Sequence, residues 1–259
     1  MAYDDDLARD LAAEAGQRLL ALRARGGAPG DLRQAGDRQS HEFLTAELAR
    51  RRPGDAVLSE EGRDDPARLT AGRVWIVDPL DGTREFGEAG RTDWAVHVAL
   101  WEHGALTAGA VALPAQGKVL STAEPPRPAS PTPPAPAPGG RGRPLRLVVS
   151  RTRPPAFVER LSAVTGLTPV PLGSAGAKAA AVICGQADAY AHSGGQYEWD
   201  SAAPVAVALA AGLHASRLDG SKLEYNQADP ALPDILICRA ELAGPLLDDI
   251  RAARRSCPG

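Results

Sequence analysis

The sequence predicts an α/β (α+β) protein with more than one sheet, in which helices and strands alternate along the chain. Some segments repeat apolar residues at helical spacing, and others are short apolar runs bounded by turn residues. A third observation is the proline-rich stretch 123–144, which has no periodic apolar pattern. We expect an exposed loop there, between an N-terminal α+β subdomain at 1–122 and a C-terminal α/β subdomain at 145–259.

Two helices are expected first. Leu7, Leu11, Ala15 and Leu19 recur at helical spacing, and a second helix is predicted at 37–51. Short β-rich runs follow these helices. They predict strands at 56–58, 74–77, 94–101, 106–113 and 118–121.

The second half of the chain alternates strands with helices. The predicted strands lie at 145–149, 187–191 and 235–238. The predicted helices lie at 156–164, 174–184, 200–211 and 242–254.

Length and composition exclude several classes of protein. The 259 residues are 44% hydrophobic, which is typical of a globular protein with a substantial core. A formal net charge of −3 gives no general attraction to nucleic acid. Because the chain has neither a long apolar run nor a basic leader, we expect a cytoplasmic protein without a membrane partner. Cys184, Cys238 and Cys257 are too few and too scattered for a disulfide frame or a zinc site.

Acidic residues follow one predicted strand at an informative spacing. The apolar run 75–77 leads straight into Asp78, and Pro79 disfavours the helical conformation there, so the carboxylate lies at the end of the strand. Asp81 follows three positions later, and Gly82 allows close backbone approach. Two carboxylates at this spacing can share a hard cation. Asp81 alone could also cap a helix, but an acid at the end of an apolar strand is costly unless paired.

Two further acidic segments fit the same site. Glu60 and Glu61 follow the predicted strand at 56–58, and Asp200 stands at the expected N-cap of the helix at 200–211. In isolation, either segment could be an ordinary surface or capping feature. With Asp78 and Asp81, a shared carboxylate site is the better explanation, and ligation without Cys or His indicates Mg²⁺ or Mn²⁺.

Three of these segments together resemble the signatures of the inositol monophosphatase superfamily. They are Glu60 with Glu61, the segment 78–83 (Asp-Pro-Leu-Asp-Gly-Thr) and the segment 199–204 (Trp-Asp-Ser-Ala-Ala-Pro). The order of helices and strands is similar to that of the family over nearly the whole chain. The resemblance implies a layered αβαβα sandwich of the inositol monophosphatase and fructose-1,6-bisphosphatase type, and a Mg²⁺-dependent, lithium-sensitive phosphomonoesterase.

Within the superfamily, the segment 82–86 (Gly-Thr-Arg-Glu-Phe) resembles the CysQ-type 3′(2′),5′-bisphosphate nucleotidases. Other segments look most like the actinobacterial members of that group; these are 35–39, 150–155 and 173–178. The proline-rich loop departs from the family pattern.

The resemblance implies two or three Mg²⁺ ions, for which Mn²⁺ is a substitute. The implied ligands are Glu60, Asp78, the Leu80 carbonyl, Asp81 and Asp200, and they suit two-metal phosphoryl transfer. By the same resemblance, Thr83 is hydrogen-bonded toward Glu60 and orients the attacking water. Glu60 is implied as a second catalytic residue, and Asp37 stands in an outer shell as the third, although Asp37 could instead only cap the helix at 37–51.

The resemblance also implies a pocket for the substrate. The amides of Gly82 and Thr83 hold the scissile phosphate, and Lys178 is the best candidate for a second phosphate because it follows a Gly/Ser-rich turn. The segment 192–198 is expected to be a loop that lines the pocket. The remaining candidates for substrate contact are Gly173, Ser174, Arg151, Arg153, Gly195 and Glu198.

The implied reaction is hydrolysis of 3′-phosphoadenosine 5′-phosphate to AMP and phosphate in sulfur assimilation, with 3′-phosphoadenylyl sulfate as a further substrate. Inositol monophosphatase or fructose-1,6-bisphosphatase activity stays an alternative. A non-catalytic nucleotide or metal sensor is a third hypothesis, which the presence of Thr83 and every expected ligand disfavours. The resemblance leaves a homodimer open.

Overall fold

The computed structural model describes residues 2–127 and 144–255, which form two five-stranded sheets and their flanking helices. The helices are α1 (Ala2–Ala24), α2 (Pro29–Arg51), α3 (Thr83–Gly87), α4 (Val158–Thr165), α5 (Ala175–Ile183), α6 (Glu198–Ala210) and α7 (Ala243–Arg255). The strands are β1 (Ala56–Ser59), β2 (Arg73–Asp81), β3 (Ala95–Glu102), β4 (Ala105–Leu113), β5 (Lys118–Ser121), β6 (Arg146–Ser150), β7 (Thr168–Leu172), β8 (Ala189–Tyr197), β9 (His214–Ser216) and β10 (Ala231–Cys238). Short 3₁₀ helices cover Pro66–Thr70, Pro114–Gln116 and Ala240–Leu242.

The first sheet has the strand order β1-β2-β3-β4-β5, in which only the β1–β2 pair is parallel. The second sheet has the order β7-β6-β8-β10-β9. Strand β6 runs parallel to both of its neighbours, and β10 runs antiparallel to β8 and β9. All strands of the first sheet precede the proline-rich stretch, and all strands of the second follow it. The division into two subdomains stays a prediction.

Three apolar clusters stack the elements into five layers. Helices α1 and α2 cover one face of the first sheet, α5 and α6 fill the space between the sheets, and α4 and α7 cover the outer face of the second sheet. Burial of apolar area on both faces of each sheet is the main force that holds the layers together. The predicted αβαβα sandwich is confirmed.

Strand β2 shows how the sequence positions the site. Val74 and Ile76 face the middle helix layer, whereas Trp75 and Val77 face α1 and α2. A strand covered on both faces is apolar throughout instead of alternating. This strand therefore carries the Asp78 carboxylate to the junction of the layers.

The structure differs from the predicted elements at one helix boundary and in two strands that were not predicted. Helix α2 begins at Pro29 and not at residue 37; Gly30 and Gly36 obscure its periodicity. Gly36 is needed because a Cβ there would lie 2.9 Å from Leu80 and Phe86. Strand β7 was not predicted because it contains two prolines, which an edge strand tolerates. Strand β9 was not predicted either.

Other expectations have simpler outcomes. The predicted loop at 123–144 falls mostly on residues 128–143, outside the described residues, as does Cys257. Cys184 and Cys238 are free thiols, as expected. Among the helices that the structure describes, none is long and apolar enough to cross a membrane.

Candidate metal and phosphate site

Three carboxylates meet where the two sheets and the middle helices come together. Asp78 and Asp81 lie at the end of β2, and Asp200 lies in the first turn of α6. One carboxylate oxygen from each side chain lies within 4.8 Å of those of the other two. Asp78 is only 1% exposed. Such a set of hard oxygen donors suits a divalent cation.

The backbone around Gly82 brings the site together. Leu80 N donates to Asp78 Oδ1 at 3.0 Å, and the β2–β3 pairing shifts register between Asp78 and Asp81. Gly82 then adopts a left-handed conformation (φ 86°) as the N-cap of α3. A Cβ at this position would lie 2.8 Å from the Cβ of Ser174, so glycine is needed for close approach as well as for φ.

Asp200 is held by its own helix. Its Oδ2 accepts a hydrogen bond from Tyr197 N at 2.7 Å. The prediction that Asp200 is the N-cap is wrong, because Tyr197 is the N-cap and Asp200 is the third helical residue of a capping box. Its side chain therefore points back along α6 toward the other acids.

The clustered acids raise one another's pKa values. Burial raises the pKa of Asp78 well above its usual value, and repulsion from Glu60, Asp81 and Asp200 adds to the shift. Glu60 is exposed overall, yet its carboxyl group interacts with the Asp78 carboxyl group. Its pKa rises to about 7 through desolvation and the charges of Asp200, Asp81 and Glu61. The pKa of Asp200 rises to about 6 through burial and the charge of Asp81. A bound cation would relieve this repulsion.

Asp81 differs from the other acids. Burial would raise its pKa, but His97, Lys178 and the Gly176 amide together hold it below its usual value. The Ala175 N–H donates to Asp81 Oδ1 at 3.1 Å, and the Gly176 N–H donates to Oδ2 at 2.6 Å. The first turn of α5 thus fixes this carboxylate in its ionised form.

Thr83 contacts a different acid from the predicted one. Its Oγ1 lies 3.1 Å from Asp37 Oδ1 and 3.1 Å from the Leu80 carbonyl oxygen. The prediction that the Thr83 hydroxyl is hydrogen-bonded toward Glu60 is therefore wrong. Asp37 lies in the middle of α2, so the alternative that it only caps a helix is wrong as well. Burial and the charge of Glu61 raise the pKa of Asp37 to about 6.

A cavity of about 400 Å³ opens beside the acids and contains most of the predicted substrate residues. Those that line it are Gly82, Thr83, Gly173, Ser174, Lys178, Gly195 and Arg153. Lys178 is 3% exposed, and its Nζ donates to the Gly173 carbonyl at 2.5 Å. Gly195 belongs to β8, so the predicted pocket loop at 192–198 is mostly a strand.

Two predicted substrate residues are engaged elsewhere. Arg151 pairs with Glu85 at 2.6 Å and with Glu88 at 3.2 Å, and it does not line the cavity. The carboxylate oxygens of Glu198 accept from the backbone N–H groups of Asn226 (2.6 Å) and Gln227 (2.7 Å). Glu198 is buried and does not line the cavity, and it anchors a loop to α6; its contact with substrate stays a prediction.

Sequence reasoning overlooked His97. This residue is completely buried on β3, and its Nε2 lies 3.1 Å from Asp81 Oδ2. Its Nδ1 lies 3.0 Å from the Trp199 carbonyl oxygen. The signal in the sequence was a single ionisable residue inside the apolar run 94–101.

Comparisons with known proteins agree with this geometry. The model of the inositol monophosphatase family matches residues 5–253. The chain is 53% identical over 259 residues to the 3′-phosphoadenosine 5′-phosphate phosphatase of Mycobacterium leprae, covering 96% of this chain and 93% of that one. It is 32% identical over 202 residues to the 3′(2′),5′-bisphosphate nucleotidase CysQ of Escherichia coli, covering 76% and 81%. The crystal structure of CysQ from Bacteroides thetaiotaomicron superposes with a TM-score of 0.78 at 26% identity, covering 93% and 98%.

Proposed function

The chain belongs to the inositol monophosphatase family of phosphatases, and on that premise we propose that it hydrolyses the 3′-phosphate of 3′-phosphoadenosine 5′-phosphate. The products are AMP and inorganic phosphate, and 3′-phosphoadenylyl sulfate is the expected second substrate. The M. leprae relative is named for this activity, and its 53% identity to this chain extends over 93% of its length. The geometric observation that supports the proposal is the contact of the acidic cluster with a cavity that contains Lys178.

The family depends on metal ions, and the residues of this chain fit a divalent cation. Asp78, Asp81 and Asp200 converge, and burial makes the charge of Asp78 costly without a cation. We propose Mg²⁺, with Mn²⁺ as a substitute, held by these three residues, Glu60 and the Leu80 carbonyl. When bound, Mg²⁺ supplies Lewis acidity at the phosphoryl group and lowers the pKa of water.

Thr83 and Asp37 supply acid–base positioning. With the Thr83 hydroxyl hydrogen directed to Asp37, the lone pairs of Oγ1 are free to accept a hydrogen from a water molecule in the cavity. That interaction orients the water toward a phosphate at the acidic cluster. Gly82 and Thr83 line the same cavity, which supports a role for the backbone at the start of α3 in binding the phosphate.

The second phosphate of a bisphosphate nucleotide requires positively charged side chains in the cavity. Lys178 and Arg153 both line the cavity, and no ion pair of the Arg153 guanidinium occurs within the described ranges 2–127 and 144–255. We propose that these two side chains receive the 5′-phosphate. An inositol monophosphate would leave them without a phosphate partner.

A phosphate-release assay with Mg²⁺ tests the proposal. The substrates are 3′-phosphoadenosine 5′-phosphate, inositol 1-phosphate and fructose 1,6-bisphosphate. We expect the nucleotide to have the highest kcat/KM, and Asp81→Asn to abolish release while the surface control Asp10→Asn does not. Faster turnover of either sugar phosphate would overturn the substrate assignment. Unchanged activity in Asp81→Asn would favour a non-catalytic sensor.

Three finer expectations stay predictions. Li⁺ should inhibit, because a small hard cation competes for carboxylates that Mg²⁺ has left. A cytoplasmic location and a homodimer can be checked by cell fractionation and by light scattering.

A further inference from the structure

His97 joins two parts of the acidic cluster that come from distant segments. Because a carbonyl oxygen can only accept, the 3.0 Å contact with Trp199 O means that His97 Nδ1 carries a hydrogen and donates it. On the other side of the ring, Nε2 lies 3.1 Å from Asp81 Oδ2, a distance that makes an ion pair when the imidazole is protonated. Trp199 immediately precedes Asp200. The imidazole therefore touches one carboxylate directly and the peptide next to another.

Helix α5 leaves space for the His97 ring because it has a glycine, Gly176, at the point of contact. A Cβ on Gly176 would lie 2.2 Å from His97 Nε2 and 2.9 Å from the Ala95 Cβ. The absence of a side chain at Gly176 leaves the volume that the imidazole occupies, while the N–H of the same residue donates to Asp81 Oδ2. The backbone of α5 and the ring of His97 thus hold one carboxylate oxygen from two sides.

We propose that His97 is a positioning residue, which sets the distance between Asp81 and Asp200 and thereby the affinity of the site for its divalent cation. The inference rests on the proposed function only in assuming that the carboxylates hold such an ion. Groups that hydrogen-bond to metal ligands typically contribute about 10- to 100-fold to metal affinity or activity. His97 does not reach the substrate, because it is fully buried and does not line the cavity.

Two substitutions separate the two contacts of the ring. The amide nitrogen of glutamine can replace Nε2, so His97→Gln keeps a donor toward Asp81 and loses the bond to Trp199. The amide nitrogen of the shorter asparagine can replace Nδ1, so His97→Asn keeps the bond to the Trp199 carbonyl and loses the contact with Asp81. The matched control is His214→Asn, because His214 lies on the edge strand β9 and pairs locally with Ser216 Oγ at 2.9 Å.

The experiment is calorimetric titration of Mg²⁺ into the chelator-stripped full chain, followed by kcat measured over a range of Mg²⁺ concentrations. We expect the Kd for Mg²⁺ to rise by about 10- to 100-fold in His97→Asn and by less in His97→Gln, with His214→Asn like the wild type. Saturating Mg²⁺ should restore most of kcat, since the ring is remote from the reacting atoms.

An unchanged Kd in a folded His97→Asn protein, even with a lower Tm, would overturn the proposal, because His97 would then only stabilise the fold. If His97→Asn does not fold, His97→Gln decides the question: it loses the bond to the Trp199 carbonyl and should still raise the Kd for Mg²⁺, and an unchanged Kd there is equally fatal. If the wild type binds no divalent cation at all, the failure lies in the proposed function instead.

Discussion

The Thr83 hydroxyl lies 3.1 Å from Asp37 Oδ1, which connects the first residue of α3 to the middle of α2. The contact joins a hydroxyl that lines the cavity to a carboxyl group of raised pKa. A hydroxyl that donates to a carboxylate retains lone pairs for a water molecule. The pair is therefore suited to orient and polarise the nucleophile of a hydrolytic reaction.

Removal of this hydroxyl should reduce kcat without disturbing the metal site. We expect Thr83→Ala to lower kcat by about 10²- to 10⁴-fold, the usual range for loss of acid–base assistance. Thr83→Ser keeps the hydroxyl and should retain most of the activity. Steady-state kinetics at saturating Mg²⁺ provide the measurement. Comparable activity in the alanine and serine variants would show that the Thr83–Asp37 contact is not part of catalysis.

Binding of Mg²⁺ should release protons near neutral pH. In the metal-free protein the pKa of Glu60 is about 7 and that of Asp200 about 6, and metal ligands must be deprotonated. Affinity for Mg²⁺ is therefore expected to fall as pH decreases from 8 to 6. Calorimetry at pH 6.5 in two buffers of different ionisation enthalpy measures the proton count, and heats that are independent of the buffer would contradict the expectation.

The same pKa shifts determine the stability of the metal-free protein. Acids whose folded-state pKa lies above the unfolded value bind extra protons when folded, so stability falls as pH rises through these pKa values. The Tm of chelator-treated protein should accordingly be higher at pH 5.5 than at pH 8. Saturation with Mg²⁺ should restore stability at pH 8, by about 2.7 kcal/mol at a hundred times Kd.

Gly82 should tolerate no side chain. Gly82→Ala combines a left-handed conformation with a 2.8 Å contact to Ser174, so we expect a loss of more than about 2 kcal/mol in the free energy of unfolding, together with reduced activity. Gly117→Ala is the control, since Gly117 has φ +63° but open space around its Cβ, and should lose about 1 kcal/mol. Equal losses measured by denaturant unfolding would argue against the steric contribution.

Substitution of Glu198 distinguishes a structural role of this residue from a role in substrate binding. In Glu198→Gln, the amide nitrogen cannot accept from the backbone N–H groups of Asn226 and Gln227, so one buried donor loses its partner. We expect a loss of about 1–3 kcal/mol in stability with KM for the nucleotide unchanged. The exposed Glu224→Gln is the control for both measurements. A large rise in KM at unchanged Tm would return Glu198 to the substrate pocket.

The site residues that could be predicted from the sequence are those whose local sequence indicates their position in a strand or helix. Asp78 and Asp81 lie at the end of one apolar strand, and the segment around Asp200 opens a helix. Their convergence could be predicted because each occurs in a distinctive motif. The five-layer order followed from the same resemblance, whereas the alternation of helices and strands indicated only that there is more than one sheet.

The features that sequence reasoning missed depend on tertiary packing. Arg151 and Arg153 are two residues apart, and only the position of Glu85 shows that the first is an ion-pair partner while the second lines the cavity. His97 was overlooked because its partners lie on β2 and α6. The start of α2 was missed because Gly36 serves close packing and weakens the helical pattern.

The arrangement of the layers has a consequence for biosynthesis. A growing chain that has emerged as far as residue 127 carries Asp78 and Asp81 but neither Lys178 nor Asp200. The missing groups arrive with α5 and α6, which pack between the two sheets. The cluster of three carboxylates is therefore complete only after α6 has packed between the two sheets, and a nascent chain up to residue 127 holds just two of the three acids.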